Sequence, residues 1–194
     1  MRTLYVAEFI SLDGVIDSPG GESGYPHAGW TFDIEMDENV YAYKDEELQD
    51  AEALLLGRLT YEGFAAAWPD RENDPEMGDF AHKFNSMPKY VASTTLTDPT
   101  WNNTTVLEGD VVEAVRKLKE GDGGAIMVNG SASLVQTLHK AGLVDEYRLQ
   151  VWPVILGSGK RLFPDDAEDK QKLELARTQT YSNGIQLQIL RVVH

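Results

Sequence analysis

Three segments place glycine, hydroxyl side chains or a cation where an apolar run ends, and such segments can bind anions. They are Gly57-Arg58-Leu59-Thr60, Ser93-Thr94-Thr95 and Gly130-Ser131-Ala132. Glycine lets a ligand approach the backbone, the N–H groups at a helix N-terminus can donate to an anion, and Arg58 adds a fixed cation. Any one of these segments could equally be an ordinary cap or turn. Together they favour an anionic ligand bound at the carboxyl ends of neighbouring strands.

Three further side chains are candidates for contact with a substrate. Asp13 follows the first predicted strand in a Leu-Asp-Gly turn, where it either orients a substrate or bonds to the backbone of its own turn. Trp30 lies in a long irregular segment and could stack on a planar heterocycle, although aromatic residues more often pack in the core. Lys160 either holds an anionic group such as phosphate or is a solvated charge. The residue types leave these alternatives open.

Spacing excludes two familiar nucleotide-binding motifs. Gly157-Ser158-Gly159-Lys160 resembles part of a phosphate-binding loop, but the loop's first glycine would fall at Val154 and its hydroxyl residue at Arg161. No G-x-G-x-x-G pattern follows a predicted strand, so the standard dinucleotide fingerprint is also absent. The four histidines show no metal-ligand spacing, and we expect no metal site. A nucleotide site in this chain must therefore be of another kind.

Composition and charge narrow the possible partners. The chain has 194 residues, no cysteine and a formal net charge of −15. The lack of cysteine excludes a disulfide framework, a thiolate zinc site, an iron–sulfur cluster and a cysteine nucleophile. The negative charge argues against nucleic acids and anionic membranes as partners. We find neither a signal-peptide pattern nor a spanning apolar run, and expect a cytoplasmic protein with a small-molecule substrate.

The elements that must position these residues are alternating strands and helices. This alternation predicts an α/β fold with a mainly parallel central sheet flanked by helices. Asn183-Gly184 predicts a C-terminal antiparallel hairpin, and the absence of a linker predicts one domain over residues 1–194. The long predicted strand at 144–156 and the hairpin favour a homodimer. Strands are predicted at 4–10, 53–57, 89–93, 104–107, 125–128, 144–156, 171–181 and 185–193, and helices at 40–50, 59–68, 77–85, 110–121 and 131–142.

The order of five motifs along nearly the whole chain resembles the dihydrofolate reductase-like superfamily. The similarity is to the branch related to the C-terminal reductase domain of bacterial riboflavin biosynthesis enzymes. It implies a dihydrofolate reductase-like fold with NADPH as the hydride donor. The motifs are Ser11-Leu12-Asp13-Gly14-Val15-Ile16, Gly57-Arg58-Leu59-Thr60-Tyr61-Glu62, Val128-Asn129-Gly130-Ser131, Asp145-Glu146-Tyr147 and the segment from Pro153 to Phe163.

The resemblance also implies roles for individual residues. It places Gly57, Arg58 and Thr60 near the cofactor phosphates, and Ser93 and Thr94 near the adenosine 2′-phosphate. It places Gly130, Ser131 and Ala132 at the pyrophosphate, and Ala7, Val15 and Ile16 beside the nicotinamide. Dihydrofolate reductases carry a pterin-directed acid a few positions after a tryptophan, and Asp33 after Trp30 is the corresponding candidate, with Asp13 as the second catalytic candidate.

The expected activity is hydride transfer from NADPH to a small pyrimidine- or pterin-like heterocycle. This activity would be similar to that of 5-amino-6-(5-phosphoribosylamino)uracil reductase. Many riboflavin enzymes join such a domain to a zinc deaminase, and the lack of cysteine excludes that partner domain here. The alternative is a nucleotide-binding or interaction module on the same fold that does not turn over.

Overall fold

A single mixed sheet organises the chain, as seen in a computed structural model that describes residues 1–21, 24–35, 37–163 and 170–193. The strands are β1 (Leu4–Ser11), β2 (Ala51–Gly57), β3 (Lys89–Ala92), β4 (Thr104–Val106), β5 (Ala125–Val128), β6 (Glu146–Trp152), β7 (Leu173–Thr180) and β8 (Gln186–Val192). The helices are α1 (Glu38–Asp50), α2 (Arg58–Ala67), α3 (Gly78–Ser86), α4 (Val111–Glu120) and α5 (Ala132–Lys140), with 3₁₀ turns at Trp30–Asp33 and Pro69–Arg71.

The strand order is β4-β3-β2-β5-β1-β6-β8-β7. The strands from β4 to β6 in this order pair in parallel, whereas β8 runs antiparallel to β6 and β7 antiparallel to β8. Parallel pairs need crossover connections, and the helices supply them. The predicted α/β class, the mainly parallel sheet and the C-terminal hairpin are confirmed.

Both faces of the central parallel strands are buried. Successive residues of such a strand point to opposite sides of the sheet, so each strand contributes apolar side chains to both faces. Leu4 and Val6 of β1 pack in a cluster with Val115 of α4 and Leu134 of α5. Tyr5, between them in sequence, packs on the other side with residues of α1, α2 and α3. The apolar runs of the central strands therefore need a helix layer on each side.

The connections of the central strands leave the sheet in opposite directions. β1 leads through α1 to β2 across one face, and β5 leads through α5 to β6 across the other. Because β1 lies between β5 and β6 in the sheet, the two crossovers diverge beside β1. In open α/β sheets, ligands bind in the crevice that such a divergence opens at the carboxyl ends of the strands. The fold therefore locates the candidate site beyond β1 and β5.

One predicted strand is shorter than expected. The apolar run at 144–156 predicts a long strand, but β6 covers only Glu146–Trp152. Pro153 follows directly and has no N–H to donate to a ladder, so the strand ends there. At the other end, the Asp145 carboxylate accepts from the Leu4 backbone at 2.7 Å and from Lys119 at 2.5 Å. Asp145 thus anchors the turn before the strand.

None of the described helices combines the length and the apolar character needed to cross a bilayer.

Candidate active site

The turns that follow β2 and β5 touch each other at Gly57. The Gly57 N–H donates to the Gly130 carbonyl at 3.1 Å. A Cβ atom added to Gly57 would lie 2.4 Å from Ser131 Oγ and 2.9 Å from Ser131 Cβ. Because these distances are shorter than van der Waals contact, only glycine fits at this position without a shift of the neighbouring turn. The peptide bond between Gly130 and Ser131 is cis.

Two helix N-termini meet at this junction. α2 begins at Arg58, directly after Gly57, and α5 begins at Ala132, directly after Ser131. Neither N-cap residue makes a side-chain capping hydrogen bond. The backbone N–H groups of the first turns therefore stay available, and the two helix dipoles add a positive potential at one place. Such an arrangement suits an anion with two charged groups.

The hydroxyl segment after β3 lies at the same edge of the sheet. Ala92, the last residue of β3, pairs with Gly57 of β2, so the three predicted anion-binding segments follow the adjacent strands β3, β2 and β5. Ser93 Oγ accepts from the backbone N–H groups of Thr95 and Leu96, at 3.1 and 2.9 Å, while Thr94 is exposed. Ser93 therefore has a turn-forming role, and Thr94 is the more accessible of the two hydroxyls.

Arg58 lies at the rim of the junction, where it already has a partner. Its guanidinium donates to both Glu62 carboxylate oxygens, at 2.8 and 3.0 Å, and both side chains are more than 40 % exposed. An exposed pair of this kind is weak, so a phosphate could replace Glu62 at little cost. Thr60 lies nearer the turn, because a Cβ on Gly130 would fall 3.1 Å from its Oγ1. Gly130 and Thr60 are thus brought together, as the resemblance implies.

The residues expected beside a nicotinamide are all buried. Ala7 is 1 % exposed, Val15 is fully buried and Ile16 is 7 % exposed. The Ala7 carbonyl accepts from Asn129 Nδ2 at 2.8 Å, which ties β1 to the turn after β5. These side chains therefore leave little surface of their own for a ligand.

Two unpartnered acceptors stand in this crevice, and sequence reasoning missed both. Glu8 Oε1 and Asn129 Oδ1 are buried and have no hydrogen-bond partner among the described residues. A Cβ on Gly130 would lie 3.6 Å from Glu8 Oε1, so this carboxyl faces the same turn as Thr60. A ligand that donates hydrogen bonds here would satisfy these atoms. The signals in the sequence are that Glu8 interrupts the apolar run of the first strand and that Asn129 belongs to the Val128-Asn129-Gly130-Ser131 motif.

Burial also changes the ionisation of Glu8. Desolvation raises its pKa to about 8, and Glu47 adds to the rise, while Lys44 and the Gly130 backbone oppose it. Because the desolvation penalty acts on the charged form, Glu8 is mostly a neutral acid at pH 7.

Asp13 is occupied by its own turn. Its carboxylate accepts from Ser11 Oγ at 2.7 Å and from the backbone N–H groups of Leu156 and Gly157 at 3.1 and 2.8 Å. Burial disfavours its ionisation, but these hydrogen bonds outweigh that effect and lower its pKa to about 2. Both oxygens thus hold the segment after β6 against the end of β1. The catalytic role stays a prediction, and the geometry favours the turn-forming interpretation.

The other predicted substrate contacts are not placed at the junction of α2 and α5. Trp30 is 2 % exposed, packs edge-on against Trp152 with ring centroids 5.9 Å apart, and donates from Nε1 to the Asp17 carbonyl. The Trp30 ring is therefore part of the core, as the alternative interpretation expected. Asp33 is exposed at the end of the Trp30–Asp33 turn. Lys160 is 60 % exposed and pairs with Asp17 at 3.2 Å.

Comparisons with known proteins show the family of the chain. The family model described as the RibD C-terminal domain matches residues 2–187. The chain is 31 % identical over 180 residues to the uncharacterized protein YyaP of Bacillus subtilis (strain 168), an alignment covering 91 % of this chain and 87 % of YyaP. It is 28 % identical over 189 residues to the uncharacterized protein YwjB of the same organism, covering 97 % and 96 %.

Two solved structures share the fold. One is a protein described provisionally as a riboflavin biosynthesis protein, from Shewanella sp. PV-4, with a TM-score of 0.76, 20 % identity and full coverage of both chains. The other is RibD of Acinetobacter baumannii, with a TM-score of 0.66 and 14 % identity. The alignment with RibD covers all of this chain and 59 % of the RibD chain. These neighbours confirm the expected fold.

Proposed function

The chain belongs to the RibD C-terminal domain family, and on that premise we propose that it is an NADPH-dependent reductase. Its substrate is a small pyrimidine- or pterin-like heterocycle with a reducible C=N or C=O bond. The observation that carries this proposal is the junction of two uncapped helix N-termini at Gly57 and Gly130, next to the unpartnered Glu8. An anion-binding junction beside a polar crevice is what an oxidoreductase with a dinucleotide cofactor needs.

The residues present fit such a cofactor. The close approach of the two turns at Gly57 brings the N-termini of α2 and α5 together, and the N–H groups of these N-termini would hold a pyrophosphate. Gly130, Ser131 and Ala132 would contact it from one side, and Arg58 and Thr60 from the other. Thr94 and Ser93, one strand further along, would meet the 2′-phosphate. Asn129 Oδ1 would accept a hydrogen bond from a polar group of the cofactor deeper in the crevice.

This placement indicates what the cofactor would supply to the reaction and what the protein would supply. When bound, the dihydronicotinamide supplies a hydride, and the chain supplies orientation and a dry environment. Ala7, Val15 and Ile16 are apolar and buried, so water would have no access to a nicotinamide through them. Asp13 holds the segment after β6 over the end of β1, which fixes the mouth of the crevice.

Titration of NADPH and NADH into the purified protein tests the cofactor. The chain has four tryptophans, so a saturable change in their fluorescence reports binding. We expect NADPH to bind more tightly than NADH, and Arg58→Ala to weaken NADPH more than NADH if its guanidinium meets the 2′-phosphate. No saturable change with either dinucleotide contradicts the proposal.

The second candidate is a nucleotide-binding module without turnover. One observation favours it: Asp13 is committed to its turn, and Asp33 is exposed, so neither predicted acid is a buried proton donor. A panel of pterins, pyrimidines and quinones mixed with the NADPH-bound protein separates the candidates. Loss of the dihydronicotinamide absorbance with one of them supports the reductase. Binding without oxidation across the whole panel supports the module.

The expectations of one domain over residues 1–194, a cytoplasmic location and a homodimer stay predictions. The edge strand β7 offers an exposed surface for a second copy, where Leu175 is 55 % exposed. Size-exclusion chromatography with light scattering measures the assembly directly.

A further inference from the structure

Glu8 is a partly exposed acid on the first strand, and one of its carboxyl oxygens, Oε1, is buried. It lies on β1, between β5 and β6 in the sheet. Its Oε1 is shielded from solvent and makes no hydrogen bond of full geometry to any described residue, although the Gly130 backbone is near enough to lower its pKa. A buried carboxyl oxygen that is not fully hydrogen-bonded costs stability, which makes it a candidate for contact with a ligand.

In the described part of the chain, one basic side chain acts on the Glu8 carboxyl, and that side chain already pairs with another acid. The charged groups that act on it from the described part of the chain are Lys44 and Glu47, both on α1. Lys44 is ion-paired with Glu47, and its Nζ lies 5.2 Å from the centroid of the Phe9 ring. The neighbours on the other two elements, Gly130 after β5 and Thr60 on α2, carry no charge.

Position and pairing together suggest a function. Glu8 sits beside the turn that would hold the cofactor, and the cation that acts on it, Lys44, is already ion-paired with Glu47. We propose that Glu8 is the proton donor of the reduction, delivering its proton to the nitrogen or oxygen of the substrate bond that is reduced. This inference rests on the proposed reductase function. It assigns the acid to the first strand, where neither Asp13 nor Asp33 lies.

The step balances without a further reactant. The carbon of the C=N or C=O bond would take up a hydride (one proton with two electrons), which a bound dihydronicotinamide would supply and thereby be oxidised. The O–H bond of Glu8 would break, and a new N–H or O–H bond would form on the substrate. Glu8 would be left as a carboxylate and would regain its proton from water after the product leaves. Burial suits this role, because an acid whose pKa lies near the working pH can both hold and release a proton.

The first test needs neither cofactor nor substrate. The ¹³C signals of labelled glutamate carboxyls are followed against pH in the wild type and in Glu8→Gln, and the signal missing from the variant is Glu8. We expect its midpoint near pH 8, whereas an unperturbed glutamate titrates near about 4.3. A midpoint near the unperturbed value overturns the proposal.

The second test uses turnover with the panel compound that the wild type reduces. We expect Glu8→Gln to bind NADPH with unchanged affinity and to lower kcat by about 10²- to 10⁴-fold. The wild-type rate should fall as pH rises through about 8, and the variant should lose this limb. Glu174→Gln, an exposed glutamate on the edge strand β7, is the matched control and should behave as the wild type.

The outcomes separate the two proposals. An active wild type with a Glu8→Gln variant of similar kcat and pH profile overturns the role of Glu8 and leaves the reductase standing. A variant that loses NADPH affinity assigns Glu8 to binding and also overturns the proton-donor role. A wild type that binds NADPH but reduces no panel compound overturns the reductase and Glu8 together. If Glu8→Gln does not fold, Glu8→Asp takes its place, and we expect a lower kcat with the pH limb retained.

Discussion

At the scale of single residues, buried polar groups that lack hydrogen-bond partners lower the free energy of unfolding of this protein. Gln150 on β6 is 2 % exposed, and neither its Oε1 nor its Nε2 has a hydrogen-bond partner among the described residues. It stands opposite Phe9 of β1 in the parallel register. A carboxamide removed from water without compensation is destabilising.

Gln150→Met should therefore stabilise the protein. Methionine has a similar length and no group that must be hydrogen-bonded, so we expect the free energy of unfolding to rise by about 1–3 kcal/mol. Thermal or urea denaturation measures the change. Gln186→Met, at an exposed position of β8, is the control and should stay within about 0.5 kcal/mol of the wild type. A lower stability of Gln150→Met shows that the amide has a partner in solution.

At the scale of elements, the contact between the turns before α2 and α5 is what creates an anion site. Either turn alone is an ordinary strand-to-helix connection, and each has a helix N-terminus with unused N–H groups. The hydrogen bond from Gly57 to Gly130 brings the two N-termini together. The absence of a Cβ at Gly57 is the condition for this approach.

Gly57→Ala should separate the two turns. The added Cβ meets Ser131 Oγ at 2.4 Å, so we expect a loss of about 1–3 kcal/mol in stability and a weaker affinity for NADPH. Gly63→Ala, within α2, adds a Cβ with no atom within 4 Å and should gain about 0.5–1 kcal/mol because alanine favours the helix. Denaturation curves and fluorescence titrations measure both variants. Equal NADPH affinities for the two would mean that the junction does not bind the cofactor.

At the scale of the whole molecule, the net charge of −15 opposes the approach of an anionic cofactor. This long-range field acts on the encounter, whereas the N–H groups of α2 and α5 act at contact distance. Added salt weakens the long-range repulsion more than the local contacts, because the Debye length falls from about 30 Å at 0.01 M to about 8 Å at 0.15 M ionic strength.

We expect the association rate constant of NADPH to rise with salt over this range, since screening weakens the repulsion before it reaches the local contacts. Stopped-flow fluorescence measures the rate constant, and NADH, which lacks the 2′-phosphate and so carries less charge, should show a smaller rise. A rate that falls as salt increases contradicts this picture and indicates that cations at the rim, such as Arg58, steer the cofactor.

Much of the fold could be predicted from the sequence because its signals are local. The alternation of apolar runs with helical patterns predicts the strands and the crossovers, and Asn183-Gly184 predicts the final hairpin. The limits of β6 were less predictable. An apolar run continues to Leu156, but the ladder ends at Trp152, where Pro153 has no N–H to pair.

The sequence by itself determined which residue types stand at the strand ends, and hence that glycines and hydroxyls at three of them could face an anion. Only the tertiary structure decided that these strand ends are adjacent and that Trp30 belongs to the core. It also decided that the Asp13 carboxylate accepts from backbone N–H groups of the segment that follows β6. It also decided the environment of Glu8. Along the chain Glu8 is one acid in an apolar strand, and its pKa depends on desolvation by residues distant in sequence. Periodicity is a property of neighbours along the chain, whereas burial and hydrogen bonding depend on how the strands are ordered in the sheet.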